Sequence, residues 1–158
     1  MSLAFEKVEA ERELSAALGA VLETMFFASI EERTAGGVGD EGGDRVGASV
    51  AFHGACEGSL AISLDRAAVE ALAAGFFGEA ADAQVGDQCE SVMGELANMV
   101  CGTMLSKLER KAIFCLEAPV ALEAGGDPRG WIEKDFALDE GLLHLAFSLS
   151  GDDRAGPQ

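Results

Sequence analysis

The sequence predicts an α+β fold: an antiparallel sheet with two long helices and a short helix packed on one face. Three observations predict it. Apolar residues recur at three and four in two long stretches and one short one. They alternate with period two in others, as in Val46, Ala48, Val50 and Phe52. The helical and extended stretches also come in groups: a helix, two strands, two helices, three strands.

Taken in order, residues 4–32 read as the first helix, with Leu14, Ala17, Leu18, Val21, Leu22, Met25 and Phe26 on one stripe. The run "TAGGVGDEGGDRVG" is rich in glycine and aspartate and reads as a loop. It lacks the Lys-Ser/Thr that a phosphate-cradling loop carries, and its aspartates would repel phosphate. "RVGASVAFHG" and "GSLAISLD" alternate and form a hairpin across "GACEG". Asp65 then N-caps a short helix ending at Gly78. Asp87 with Glu90 makes a capping box for the second long helix, which runs to about Glu109. Lys107, Arg110 and Lys111 complement the negative end of its dipole. "KAIFCLEAPVALEA" reads as a strand, with Pro119 marking an edge or a bulge. Residues 130–151 read as a hairpin turning at Asp139-Glu140-Gly141, with Leu143, Leu145, Phe147 and Leu149 inward and Trp131 as an anchor.

Length suits one domain, residues 1–150, followed by a frayed tail at 151–158. Apolar residues make up 49%, too many for a disordered chain. The formal charge is −17, with 28 acids against 11 bases. Nucleic acid and anionic membrane surfaces are therefore poor partners, since both demand basic faces. No apolar run is long enough to span a bilayer and no export signal is evident, so a cytoplasmic location is expected. Cys56, Cys89, Cys101 and Cys115 form no CxxC pair and read as small buried thiols.

The stretch "ESVMGELANMVCG" carries the chemistry. Each helical residue turns the direction by roughly 100°. Val92, Leu96, Met99, Val100 and Thr103 then fall in one sector, with Met93 and Met104 at its margin. Ser91, Glu95, Asn98 and Gly102 fall in another, centred roughly 140° away. A wet helix face usually only hydrates. Asn and Gly are poor helix formers, however, and Gly costs about 1 kcal/mol against Ala unless close approach rewards it. Two such choices on one exposed face point to function.

The run Ser91-x-x-x-Glu95-x-x-Asn98 followed by Gly102 on the second long helix resembles the active-site signature of the CheC/CheX/FliY chemotaxis phosphatases. "VMGELANMVCGTMLSKL" looks like the motif helix of the CheX branch, and the element order matches over most of residues 5–150. The resemblance implies a CheC-like fold and hydrolysis of the aspartyl phosphate on a phosphorylated CheY-like receiver domain. It implies that Asn98 orients the attacking water and Glu95 pairs with the receiver's lysine. Ser91 and Gly102 would contact the partner. Mg2+ is expected on the receiver, with no cofactor held by this chain. A homodimer paired through its sheets is also implied, and an exposed edge formed by the last strands is compatible with it. The first helix carries Glu13 but Ala16 where a second motif would have asparagine, so one site per chain is expected.

The chemistry is physically reasonable for these residue types. An acyl phosphate is already activated, and its hydrolysis needs a water held in line with phosphorus. A side-chain amide orients water as donor and acceptor without ionising. Other sites fare worse. Glu90 and Glu95 diverge by roughly 140° on a helix and form no carboxylate pair. His53 and His144 fall in strands without zinc-ligand spacing and read as structural. The competing expectations are a non-catalytic module that binds receivers or a flagellar-motor component, and a plain dimerisation domain.

Overall fold

The computed structural model describes residues 7–25, 31–33, 45–54, 57–77, 85–108, 114–122, 130, 132–138 and 141–150. Its elements are α1 (Lys7–Met25), β1 (Glu31–Arg33), β2 (Arg45–Gly54), β3 (Glu57–Asp65), α2 (Arg66–Phe77), α3 (Val85–Leu108), β4 (Phe114–Leu116), β5 (Val120–Ala121), β6 (Ile132–Leu138) and β7 (Gly141–Ser150). All pairings are antiparallel. The strand order is β1-β6-β7-β3-β2-β4, with β5 also paired to β2. This is the α+β class expected.

The alternating strands place their apolar residues as the period of two requires. Val46, Ala48, Val50, Phe52, Leu60, Ile62, Leu64, Leu143, Leu145 and Phe147 are buried, in one core with the three helices. At about 1.5–3 kcal/mol for each large side chain, this face supplies most of the driving force. The opposite face holds the buried polar side chains Ser63, Asp135 and His144, which lie in register across β3, β7 and β6. His144 Nδ1 is 2.7 Å from Asp135 Oδ1, a distance at which an imidazole N–H donates to a carboxylate. His144 is thus partnered within the sheet.

Four details differ from the sequence reading. The described part of the first helix ends at Met25, and Glu31–Arg33 forms an edge strand on β6 where the sequence reading extends the helix. The free edge of β6 offers those residues backbone partners that an exposed helix end lacks. Asp65 immediately precedes α2, but its carboxylate is engaged elsewhere: Oδ1 accepts from Arg45 and Oδ2 from the N–H of Leu142, each at 2.9 Å. α3 begins at Val85, so Asp87 sits inside its first turn and not at the cap. The sheet edges are β1 and β4/β5; the last two strands are interior, because β1 covers β6 and β3 covers β7.

A glycine flanks the connection in both hairpins. Gly54, with φ of 130°, enters the first in a conformation that side chains disfavour. In the second, Leu138 pairs with Gly141 across two residues. A Cβ at Gly141 would lie 2.6 Å from Asp65 Oδ2, so only glycine lets the turn dock there. The glycine-rich loop, Cys56, Trp131, the tail at 151–158, and the side chains of Met25, Asp87, Cys89 and Leu149 lie outside the described residues.

Candidate active site on the third helix

α3 packs against α1, α2, β2 and β3, and runs beside β4 and β5. Val92, Met93, Leu96, Ala97, Val100, Cys101, Met104 and Leu105 are consequently buried. That sector is wider than the periodicity predicted. Neighbours on both flanks draw in Met93, Ala97, Cys101 and Met104, while Met99 and Thr103 are only half-buried.

Ser91, Glu95, Asn98 and Gly102 do share one face, centred roughly 160° from the middle of the buried arc. Ser91 and Glu95 are exposed; Asn98 and Gly102 are half-buried. Among the described residues, no hydrogen bond or ion pair engages the side chains of Ser91, Glu95 or Asn98. The face is polar and, among the described residues, uncommitted, with a carboxylate and an amide one turn apart. A half-buried amide loses part of its rotational freedom while keeping its donor and acceptor open, which suits the orientation of a water.

The glycines divide in a way the sequence concealed. A Cβ at Gly102 would meet Leu116 Cδ2 at 3.9 Å, an ordinary contact, so internal packing does not demand glycine there. At Gly94, which is buried, a Cβ would stand 3.1 Å from Cβ and 3.4 Å from Cγ of Pro119. The close approach expected of a helical glycine is therefore made within the chain at Gly94. A second glycine in "VMGELANMVCG", eight residues before Gly102, was the available signal.

No group of three or more His, Cys, Asp or Glu among the described residues is placed to hold a metal ion. Cys101 is buried, and burial pushes its thiol up to about 12. Cys115 is exposed on β4 opposite His53, contrary to the expectation of buried thiols, because it stands on an edge strand. No helix among the described residues is long and apolar enough to cross a membrane.

With this geometry in view, the comparisons are decisive for family. Residues 46–127, just over half the chain, match the family model described as chemotaxis phosphatase CheX. The chain belongs to the CheX family. None of the curated proteins matches the sequence. Among solved structures, CheX from Vibrio vulnificus superposes with a TM-score of 0.70 at 22% identity, covering 91% of this chain and 99% of that one. A protein of Desulfovibrio vulgaris Hildenborough gives 0.73 at 21%, covering 94% and 100%. The third is CheX from Borrelia burgdorferi in a CheX–CheY–BeF3–Mg2+ complex, with 0.66 at 19%, covering 89% and 97%. These likenesses show the shared fold over nearly the whole chain.

Proposed function

We propose that this CheX-family protein hydrolyses the aspartyl phosphate of a phosphorylated CheY-like receiver domain, and that Asn98 and Glu95 do the work. The observation that carries this reading is the Asn98 amide, half-buried and without a hydrogen bond among the described residues, one turn from the exposed Glu95 on a face turned away from the core. Family membership and the CheX–CheY complex of the Borrelia relative support the choice of partner.

In this mechanism the Glu95 carboxylate pairs with a lysine of the receiver and sets the register of docking. Asn98 then holds one water through its amide, in line with phosphorus and opposite the aspartate oxygen. The water oxygen bonds to phosphorus as the bond from phosphorus to the aspartyl oxygen breaks. The products are inorganic phosphate and a free receiver carboxylate, and the water's protons leave with the phosphate and solvent. Mg2+, when bound by the receiver, would supply charge neutralisation at the phosphoryl oxygens; this chain contributes no nucleophile to the proposed step. Ser91 contacts the receiver through its hydroxyl, and Gly102 leaves room for the receiver's backbone.

The test is direct. Candidate receivers are phosphorylated with Mg2+ and a small phosphodonor, the donor is removed, and loss of the phosphoryl group is followed with and without the protein. Acceleration by the wild type and none by Asn98→Ala supports the mechanism. Equal acceleration by both removes Asn98 from it. Binding of a receiver without acceleration decides for the non-catalytic docking module.

A further inference from the structure

The edge strand beside the motif face contains a dislocation. Leu116 opposes Phe52, whereas Val120 opposes Ser49. Three residues, Glu117 to Pro119, therefore face two, Val50 and Ala51. One extra residue in one strand of an antiparallel pair is a β-bulge. Backbone pairing persists within it and beyond it: the N–H of Glu117 donates to Ala51 O at 2.8 Å and that of Leu122 to Gly47 O at 3.0 Å.

The bulge has a geometric consequence. In a regular strand, residues three apart point to opposite faces. Here Leu116 and Pro119 both reach α3, the first towards Gly102 and the second against Gly94. The lengths agree, since eight helical residues rise ~12 Å and three strand residues span ~10 Å. Asn98 lies midway, four residues from each glycine, on the flank of its face nearer the edge strand. Asn98, on that flank, is half-buried; Glu95, on the far flank, is exposed.

We propose that Pro119, turned by the bulge against Gly94, is a positioning residue for hydrolysis. It sets the spacing between α3 and the β4–β5 edge, and so where the Asn98 amide stands. The inference rests on the phosphatase reading above. Its physical basis is the small tolerance of an in-line attack, in which a displacement of about 1 Å can cost 10²-fold. A glycine beneath a proline ring leaves little slack: a larger residue at 94 pushes the edge away, and a smaller one at 119 removes the stop.

Three variants of the full chain test it: Gly94→Ala, Pro119→Gly and the double variant. The measurements are kcat and KM on a phosphorylated receiver, Tm, and amide hydrogen exchange along α3. Each single variant is expected to lower kcat about fivefold with KM within about twofold. Exchange should rise at residues 95–102 in Pro119→Gly. The double variant should lose no more than the worse single, because both act through one contact. Unchanged kcat with unchanged exchange overturns the proposal. So does a double loss equal to the product of the singles, or a loss that vanishes at a temperature where every variant is folded. If the wild type hydrolyses no receiver, the phosphatase reading fails by itself. Exchange at 95–102 then judges the positioning alone, and an unchanged pattern in Pro119→Gly overturns it.

Discussion

Helices α1 and α3 begin their central turns alike, "ELSAALGAVLETM" against "ELANMVCGTMLSK", yet the fold treats them differently. On α1 the buried residues, Ala10, Leu14, Ala17, Leu18, Val21 and Leu22, span an arc of roughly 140°. On α3 they span roughly 220°, because other elements flank it on both sides. Ala16, three residues after Glu13, is exposed; Asn98, three after Glu95, is half-buried. A carboxylate on a helix is therefore not a site. An amide in the right place, with an edge strand at its flank, makes it a candidate.

Replacing asparagine by alanine makes α3 like α1 at the position the proposed mechanism uses. Asn98→Ala is expected to lower hydrolysis of a phosphorylated receiver by about 10²- to 10³-fold, the cost of losing one preorganised polar group. Its Tm should match the wild type, because the side chain makes no hydrogen bond among the described residues. Phosphate release against thermal melting checks both halves. The converse change, Ala16→Asn, should create no second activity in an Asn98→Ala background, since the neighbours of α1 differ.

The next largest effects lie in the core that the two helices share. Leu14→Ala and Leu96→Ala, at equivalent positions that are both fully buried, should each cost about 2–5 kcal/mol in urea unfolding. Indistinguishable midpoints from the wild type would contradict the packing described here.

Glu95→Gln should raise KM for the phosphorylated receiver about tenfold by removing one charge-assisted contact, while Glu13→Gln leaves it unchanged. Equal effects would erase the distinction between the two carboxylates. Gly102→Ala should leave stability unchanged or raise it by up to about 1 kcal/mol, because alanine is the better helix former and Leu116 leaves space for a methyl. Receiver affinity should fall in the same variant.

The smallest effect separates two of the four cysteines, Cys101 and Cys115. Cys115 is exposed and should react with iodoacetamide in the native state at neutral pH, while buried Cys101 reacts only on unfolding. Burial raises the Cys101 thiol to about 12, above its unfolded value. Its contribution to stability is therefore complete below the unfolded pKa and is lost as pH climbs towards 12. Replacing Cys101 with Ala should flatten that alkaline decline in urea titrations.

The α+β class, the hairpin of β2 and β3, the inward residues of β7 and the stripe of α1 were legible because each depends on local periodicity. So was the shared face of Ser91, Glu95, Asn98 and Gly102, which needs only the pitch of a helix. Other features come from neighbours distant in sequence. Glu31–Arg33 continues a helical sequence but forms a strand, because β6 offers a free edge. Asp65 sits where a cap belongs yet binds Arg45 and the Leu142 N–H. Which helical glycine has a close neighbour was decided by a bulge in another strand, and a pattern read along one helix carries no information about it. By itself, the sequence determined the elements, their faces and a candidate amide, since these follow from residue spacing along one chain segment. Only the tertiary structure decided how much of each face is covered and where Pro119 meets α3, since those follow from packing between segments.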